Sequence, residues 1–239
     1  MEDINQIMSI EGVNTNENSV DPKHVRFSEL MWYDPNHDII VGGVGGIGSW
    51  LAMLLGRAGY KLFLFDDDVI DETNMAGQLY KVSDIGKYKG AAVQEAIYAY
   101  SNNPDVTVMC RYEADSEYCP IMFSCFDNME ARKLLFENWA AGEDRSVFID
   151  GRMLAESFQI FAVTPGNEDR YRETLFDDGD VEEQPCSAKA TSHTAAIISG
   201  MMMAIFTNHM SNIKLKMNIR EVAFKTTFET PLLTFNLEL

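Results

Sequence analysis

The chain has 239 residues, of which 46% are hydrophobic and 11% aromatic, and its 19 Lys+Arg against 37 Asp+Glu leave a net charge of −18. That length and apolar content allow one large domain with a sizeable core and exclude a chain disordered throughout. A surface so negative repels phosphate backbones and anionic lipid, which argues against nucleic acid and membranes as partners, although a local basic pocket remains open.

The longest apolar run, Ala195 to Phe206, is well short of the roughly 20 residues of a membrane-spanning helix. The N-terminus carries acidic residues where a signal peptide has Lys or Arg. Cysteines at 110, 119, 125 and 186 form no C-x-x-C pair, so neither a zinc tetrad nor a disulfide framework is expected. These features predict a soluble chain of a reducing compartment, the cytoplasm.

Residues 1–30 are polar and Asn-rich and predict an N-terminal arm. Asp38 to Val41 reads as a buried strand, followed by the glycine cluster of residues 42–48 and an apolar helix over Ser49 to Ala58 that Gly59 stops. Lys61 to Phe65 is the next strand. Strand, glycine turn, helix and strand make a βαβ unit, which predicts an α/β fold with a mostly parallel sheet and helices on both faces. The alternation continues with a helix over Lys87 to Ser101, strands at Val106 to Cys110 and Ile121 to Phe126, a helix from Asn128 to Ala141, and strands at Val147 to Asp150 and Phe158 to Thr164. Cys110 and Cys125, placed in strands, are expected to be buried. Residues 31–165 thus read as one continuous α/β region. Residues 166–190 read as a crossover loop, with eight acidic residues between Glu168 and Glu183 against Arg170 and Arg172. Residues 191–239 predict a Met-rich helix to about His209 and two antiparallel strands, Glu221 to Phe228 and Leu232 to Leu237.

Gly43-Val44-Gly45-Gly46-Ile47-Gly48 fits G-x-G-x-x-G between a strand and a helix. Glycines there bring backbone N–H groups close to a phosphate, and the helix N-terminus favours its charge. Asp66 ends the following strand 18 residues after Gly48, where a carboxylate accepts ribose hydroxyls. These two features suit NAD and adenosine equally, so an NAD-dependent oxidoreductase is one reading.

Further motifs follow in order: Asp66-Asp67-Asp68, Asn74-Met75-Ala76-Gly77-Gln78, Gly86-Lys87-Tyr88-Lys89, Asn103-Pro104, and Asp127-Asn128 with Arg132 beyond. The series resembles the ThiF/MoeB/HesA family, the adenylating fold shared with ubiquitin-activating enzymes, from about residue 39 to 163. The resemblance implies an ATP-dependent adenylyltransferase. It would activate the C-terminal carboxylate of a small ubiquitin-like or sulfur-carrier protein, giving an acyl-adenylate and pyrophosphate. It further implies that Gly43, Gly45, Gly46 and Gly48 hold the nucleotide with Asp66, Asp68, Asn74, Gln78 and Asn128. Lys89 would contact phosphate and Asp127 would bind Mg²⁺, within a homodimer. Cys186, near the end of the acidic loop, matches a region where relatives carry a thiol that takes up the activated carboxyl.

One departure stands out. Gly77 occupies the place of an arginine that contacts the phosphates in the family. Arg26 (from the arm of a second subunit), Arg132 and Arg152 are the candidates to replace it. Three other readings share parts of this pattern: adenylation of a peptide or RNA-borne small carboxylate, the oxidoreductase, and a catalytically silent nucleotide-binding module.

Overall fold

The computed structural model describes residues 21–177 and 191–239. Five strands, β1 (Asp38–Gly42), β2 (Lys61–Phe65), β3 (Val106–Met109), β4 (Ile121–Ser124) and β5 (Val147–Leu154), pair in parallel. Then β6 (Ser157–Val163), β7 (Lys225–Glu229) and β8 (Thr234–Glu238) extend the same sheet antiparallel, giving the order β3-β2-β1-β4-β5-β6-β7-β8.

The parallel strands read as unbroken apolar runs because both of their faces are covered. Ile39 and Val41, Leu62 and Leu64, and Val147 and Ile149 point into one core with α1 (Gly46–Arg57), α2 (Lys89–Ser101) and α5 (Ser192–Leu215). Ile40, Phe65, Met122 and Phe148 point the other way, onto Leu135, Phe136 and Trp139 of α3 (Met129–Ala141) and Tyr171 of α4 (Glu168–Arg172). The period of two between neighbours is the pleat of the strand.

Several boundaries differ from the sequence expectation. The first helix starts at Gly46 rather than Ser49, since the glycine turn itself forms its first residues. The Met-rich helix runs on to Leu215, and β7 begins only at Lys225. β3 stops at Met109, so Cys110 is exposed and not the buried strand residue expected; Cys125, just beyond β4, is buried. Part of the expected acidic loop is structured: Glu168–Arg172 is helical because Tyr171 is fully buried among Phe136, Phe148 and Phe161. The remainder of that loop lies outside the described residues.

Of the N-terminal arm, residues 21–30 are described, and they pack on the domain. Phe27 stacks on Trp32 with ring centroids 5.5 Å apart, and the buried His24 accepts from or donates to the Tyr33 hydroxyl at 2.8 Å. His24 fills the space a side chain at Gly59 would need, and Lys23 reaches the Ser101 carbonyl at 2.9 Å. This segment therefore closes the ends of α1 and α2 that point away from the glycine turn.

Candidate functional site

β1 and β4 lie side by side while their crossovers run in opposite directions along the sheet, so a crevice opens at their carboxyl ends. Open α/β sheets bind ligands at such a switch point. Here a cavity of about 370 Å³ is lined by Gly43, Gly45, Gly46, Asp66, Asp68, Gln78, Lys89, Asp127 and Asn128, among others. These residues arrive from three separate strand-to-helix connections, after β1, β2 and β4, and the strand ends bring them together.

The glycine turn is built for close approach. Gly43 has φ +81°, open to glycine at little cost. A side chain on Gly48 would meet the Gly43 carbonyl oxygen at 1.8 Å, so Gly48 lets the helix start against the turn and does not itself line the cavity. Gly45 caps α1 without any side-chain hydrogen bond, which leaves the first-turn N–H groups available to an anion.

Asp66 holds this turn in place. One carboxylate oxygen accepts the Val44 N–H at 2.8 Å, the other the Asp68 N–H at 3.0 Å. Burial raises its pKa above the ordinary carboxylate range, against the Val44 hydrogen bond and the nearby Lys89 charge, which act to lower it. Each oxygen keeps a further lone pair for a hydroxyl.

Lys89 begins α2 and is buried, its ammonium 2.6 Å from the exposed carboxylate of Asp68. Gln78 reaches the cavity from the opposite wall. Its segment is tied to α1 by Ser49 Oγ accepting the Leu79 N–H at 3.0 Å and by Trp50 Nε1 donating to the Gly77 carbonyl at 3.3 Å. The Gln78 side-chain oxygen is buried without a partner among the described residues. Asp127 is exposed in the cavity and makes no hydrogen bond or ion pair among them. Asn128 lines the cavity while its side chain caps α3, accepting the Ala131 N–H at 2.8 Å.

Two other residues of the motif series are placed elsewhere. Asn74 closes a capping box with Asp71 in the 3-10 turn Glu72–Ala76 and is not part of the cavity wall. Asn103 clamps the far end of the sheet, donating to the carbonyls of Gly56 at 3.1 Å and Tyr60 at 3.0 Å.

None of the three arginines considered for the place of Gly77 enters the cavity. Arg132 and Arg152 both turn to Asp150, which is fully buried: Arg132 also donates to the carbonyls of Gly151 and Phe126, and Arg152 Nε lies 2.7 Å from the carboxylate. Tyr171 adds its hydroxyl to the same carboxylate at 2.9 Å. Arg26 is exposed on the segment at the far end of α1, about 18 Å of helix from the glycine turn. A site in its own subunit is out of its reach.

Cys186 lies outside the described residues. Burial pushes the Cys119 thiol up to about 12 and raises that of Cys125 further, so neither is a ready nucleophile.

The ThiF family model matches residues 35–237, spanning both the nucleotide turn and the antiparallel strands. The chain belongs to the ThiF family. Within it, the chain is similar to ubiquitin-like modifier-activating enzyme 5 of Caenorhabditis briggsae, 26% identical over 77% of this chain and 47% of that protein. The Dictyostelium discoideum enzyme of the same name is 32% identical over 41% of this chain and 30% of its own length. The chain thus spans about half, or less, of the curated relatives it matches. Among solved structures, E. coli MccB with ATP superposes with a TM-score of 0.69 at 13% identity, covering 92% of this chain and 71% of that one. PaaA superposes at 0.63 with 18% identity, covering 87% and 66%. At such identities the likeness is one of ThiF fold. No helix among the described residues is long and apolar enough to cross a membrane.

Proposed function

We propose that this ThiF-family chain is an ATP-dependent adenylyltransferase that activates the C-terminal carboxylate of a small ubiquitin-like or sulfur-carrier protein. The observation that carries it is the grouping in one cavity of an uncapped helix N-terminus, a buried lysine, an orphaned amide oxygen and an unengaged carboxylate. In the reaction a carboxylate oxygen bonds to the α-phosphorus of ATP, the bond from that phosphorus to the oxygen bridging the β-phosphorus breaks, and pyrophosphate leaves with the electron pair.

The chain's own part is positioning and charge. The first turn of α1 donates N–H groups to phosphate oxygens, and the Gln78 amide lies beside Gly45 to add another donor. Lys89 supplies up to three N–H donors, held ready by Asp68 until phosphate competes for them. Asp66 accepts ribose hydroxyls. Asp127 suits Mg²⁺, which takes one or two protein carboxylates and completes its shell with phosphate oxygens and water. Among the described residues no cluster of three or more His, Cys, Asp or Glu suits a metal, so a cation here depends on the nucleotide for most of its ligands. When bound, Mg²⁺ neutralises phosphate charge as it shifts to the leaving group.

Gly77 leaves one phosphate donor fewer, a loss of about 10²–10³ in rate where nothing substitutes. Arg26 could fill the place only from a second copy of the chain, and a homodimer in the cytoplasm is part of this reading. The curated relatives, named as ubiquitin-like modifier-activating enzymes, support a ubiquitin-like protein substrate over a peptide or RNA-borne small carboxylate.

Exchange of labelled pyrophosphate into ATP tests the proposal. The assay is run with ubiquitin-like and sulfur-carrier proteins bearing a free C-terminal carboxylate, and with the same proteins amidated there. Exchange with the free acids alone is the expected outcome. Exchange that ignores amidation, or NAD⁺ binding in place of ATP, would contradict it.

A further inference from the structure

A cation that none of the motifs predicts shares the nucleotide cavity. Arg111 lines it, is exposed, and makes no hydrogen bond or ion pair among the described residues. Its position along the sheet says which part of a nucleotide it meets. Met109 ends β3 in register with Phe65, the last residue of β2, so Arg111 stands beside the level of Asp66 and Asp67. The glycine turn follows β1, two strands away, about 10 Å at ordinary strand spacing. Asp66 at the end of β2 lies between.

With phosphates on the glycine turn and ribose hydroxyls on Asp66, the base extends toward the end of β3. The cavity wall changes character there. Phe65 and Tyr112, packed edge to face with centroids 4.9 Å apart, line it together with Ala131 and Leu134, one turn apart on α3. Asp67 and Glu130 line the cavity as well, so this end joins an apolar wall to carboxylates and to a guanidinium unengaged among the described residues; that suits a flat heteroaromatic ring and is poorly suited to a polyanion. A guanidinium plane stacks on such a ring and is attracted to its π face, which a compact ammonium cannot reproduce.

We infer that Arg111 closes over the nucleobase as a base-contacting residue of the nucleotide site. The inference rests on the adenylation reading above. It also separates Arg111 from the phosphate-binding arginine whose place Gly77 takes: the two would act at opposite ends of the nucleotide.

Calorimetric titration of adenosine, AMP and Mg·ATP into the wild type, Arg111→Ala and Arg111→Lys tests this. A base contact is shared by all three ligands, so Arg111→Ala should weaken each by a similar factor of about ten. Arg111→Lys, which keeps the charge and loses the plane, should remain weak. Unfolding temperatures of the free proteins should match, because the side chain is exposed and unengaged. Weakening confined to Mg·ATP with recovery in Arg111→Lys would make Arg111 a phosphate ligand and overturn the inference. Unchanged affinity for all three ligands would overturn it as well. Failure of the wild type to bind any of them would remove the adenylation reading, and this inference with it.

Discussion

The two halves of the sheet treat charge in opposite ways. At the carboxyl ends of the parallel strands Asp127 and Arg111 are unengaged among the described residues, Gln78 keeps an orphaned oxygen, and Lys89 has only a solvent-exposed carboxylate as partner. Where the antiparallel strands begin, a second cavity also collects cations, and its two arginines are committed: Arg152 to Asp150 and the Thr174 carbonyl, Arg170 to Glu238, while Lys225 lies over the Phe161 ring. Charge left without partners at a strand end is available for ligand, whereas charge paired around a buried carboxylate holds the sheet to α3 and α4.

The sharpest break of that contrast is steric. Gly48→Ala places a methyl group 1.8 Å from a backbone oxygen that cannot swing aside. It should cost more than about 3 kcal/mol or leave no folded protein, whereas Gly45→Ala, with nothing nearer than 3.9 Å, should stay within about 1 kcal/mol. Denaturant unfolding of the two variants checks the pair.

Asp150→Ala comes next. It strands Arg132 and Arg152 in a buried site, and losing one partner of such a group costs about 3–5 kcal/mol. The same unfolding measurement reads it; a loss below about 1 kcal/mol would show that the network carries little of the structure.

A smaller effect follows pH. His209 on α5 is buried with the Ser146 hydroxyl at 2.9 Å from its ring nitrogen, and burial lowers its pKa to about 4. The unfolded chain takes up that proton near the ordinary pKa of about 6.5, so stability is fully present above that pH and falls as pH drops toward 4. The share is about 3 kcal/mol, and His209→Gln should remove that part of the slope from a pH series of unfolding curves.

Much of this contrast was legible in the chain. Continuous apolar runs such as Ile39 to Val41 and Ile121 to Phe123 mark strands covered on both faces, and the glycine cluster between strand and helix marks the crevice. The partners of the arginines were not. Asp150 ends an apolar run and reads as a strand terminus, yet it draws both Arg132 and Arg152 away from the place of Gly77, a long-range pairing with no local signature. The short helix at Glu168–Arg172 was hidden because it buries a single residue, Tyr171, in an acidic stretch. Arg111 carried a signal that motif matching passes over: a cation directly beyond a strand on the carboxyl edge of the sheet. The packed segment of residues 21–33 lacks periodicity, so its cluster of His24, Phe27, Trp32 and Tyr33 was hidden behind a polar, Asn-rich arm.

Calorimetric titration of ATP with and without Mg²⁺ into the wild type and Asp127→Ala asks whether the unengaged groups of the parallel edge form a metal-dependent ATP site. Because Asp127 is exposed and makes no hydrogen bond or ion pair among the described residues, the variant should unfold within about 0.5 kcal/mol of the wild type. Mg²⁺ should tighten ATP binding to the wild type and leave binding to Asp127→Ala unchanged. Equal tightening by Mg²⁺ in both proteins, or no ATP binding to the wild type, would contradict it.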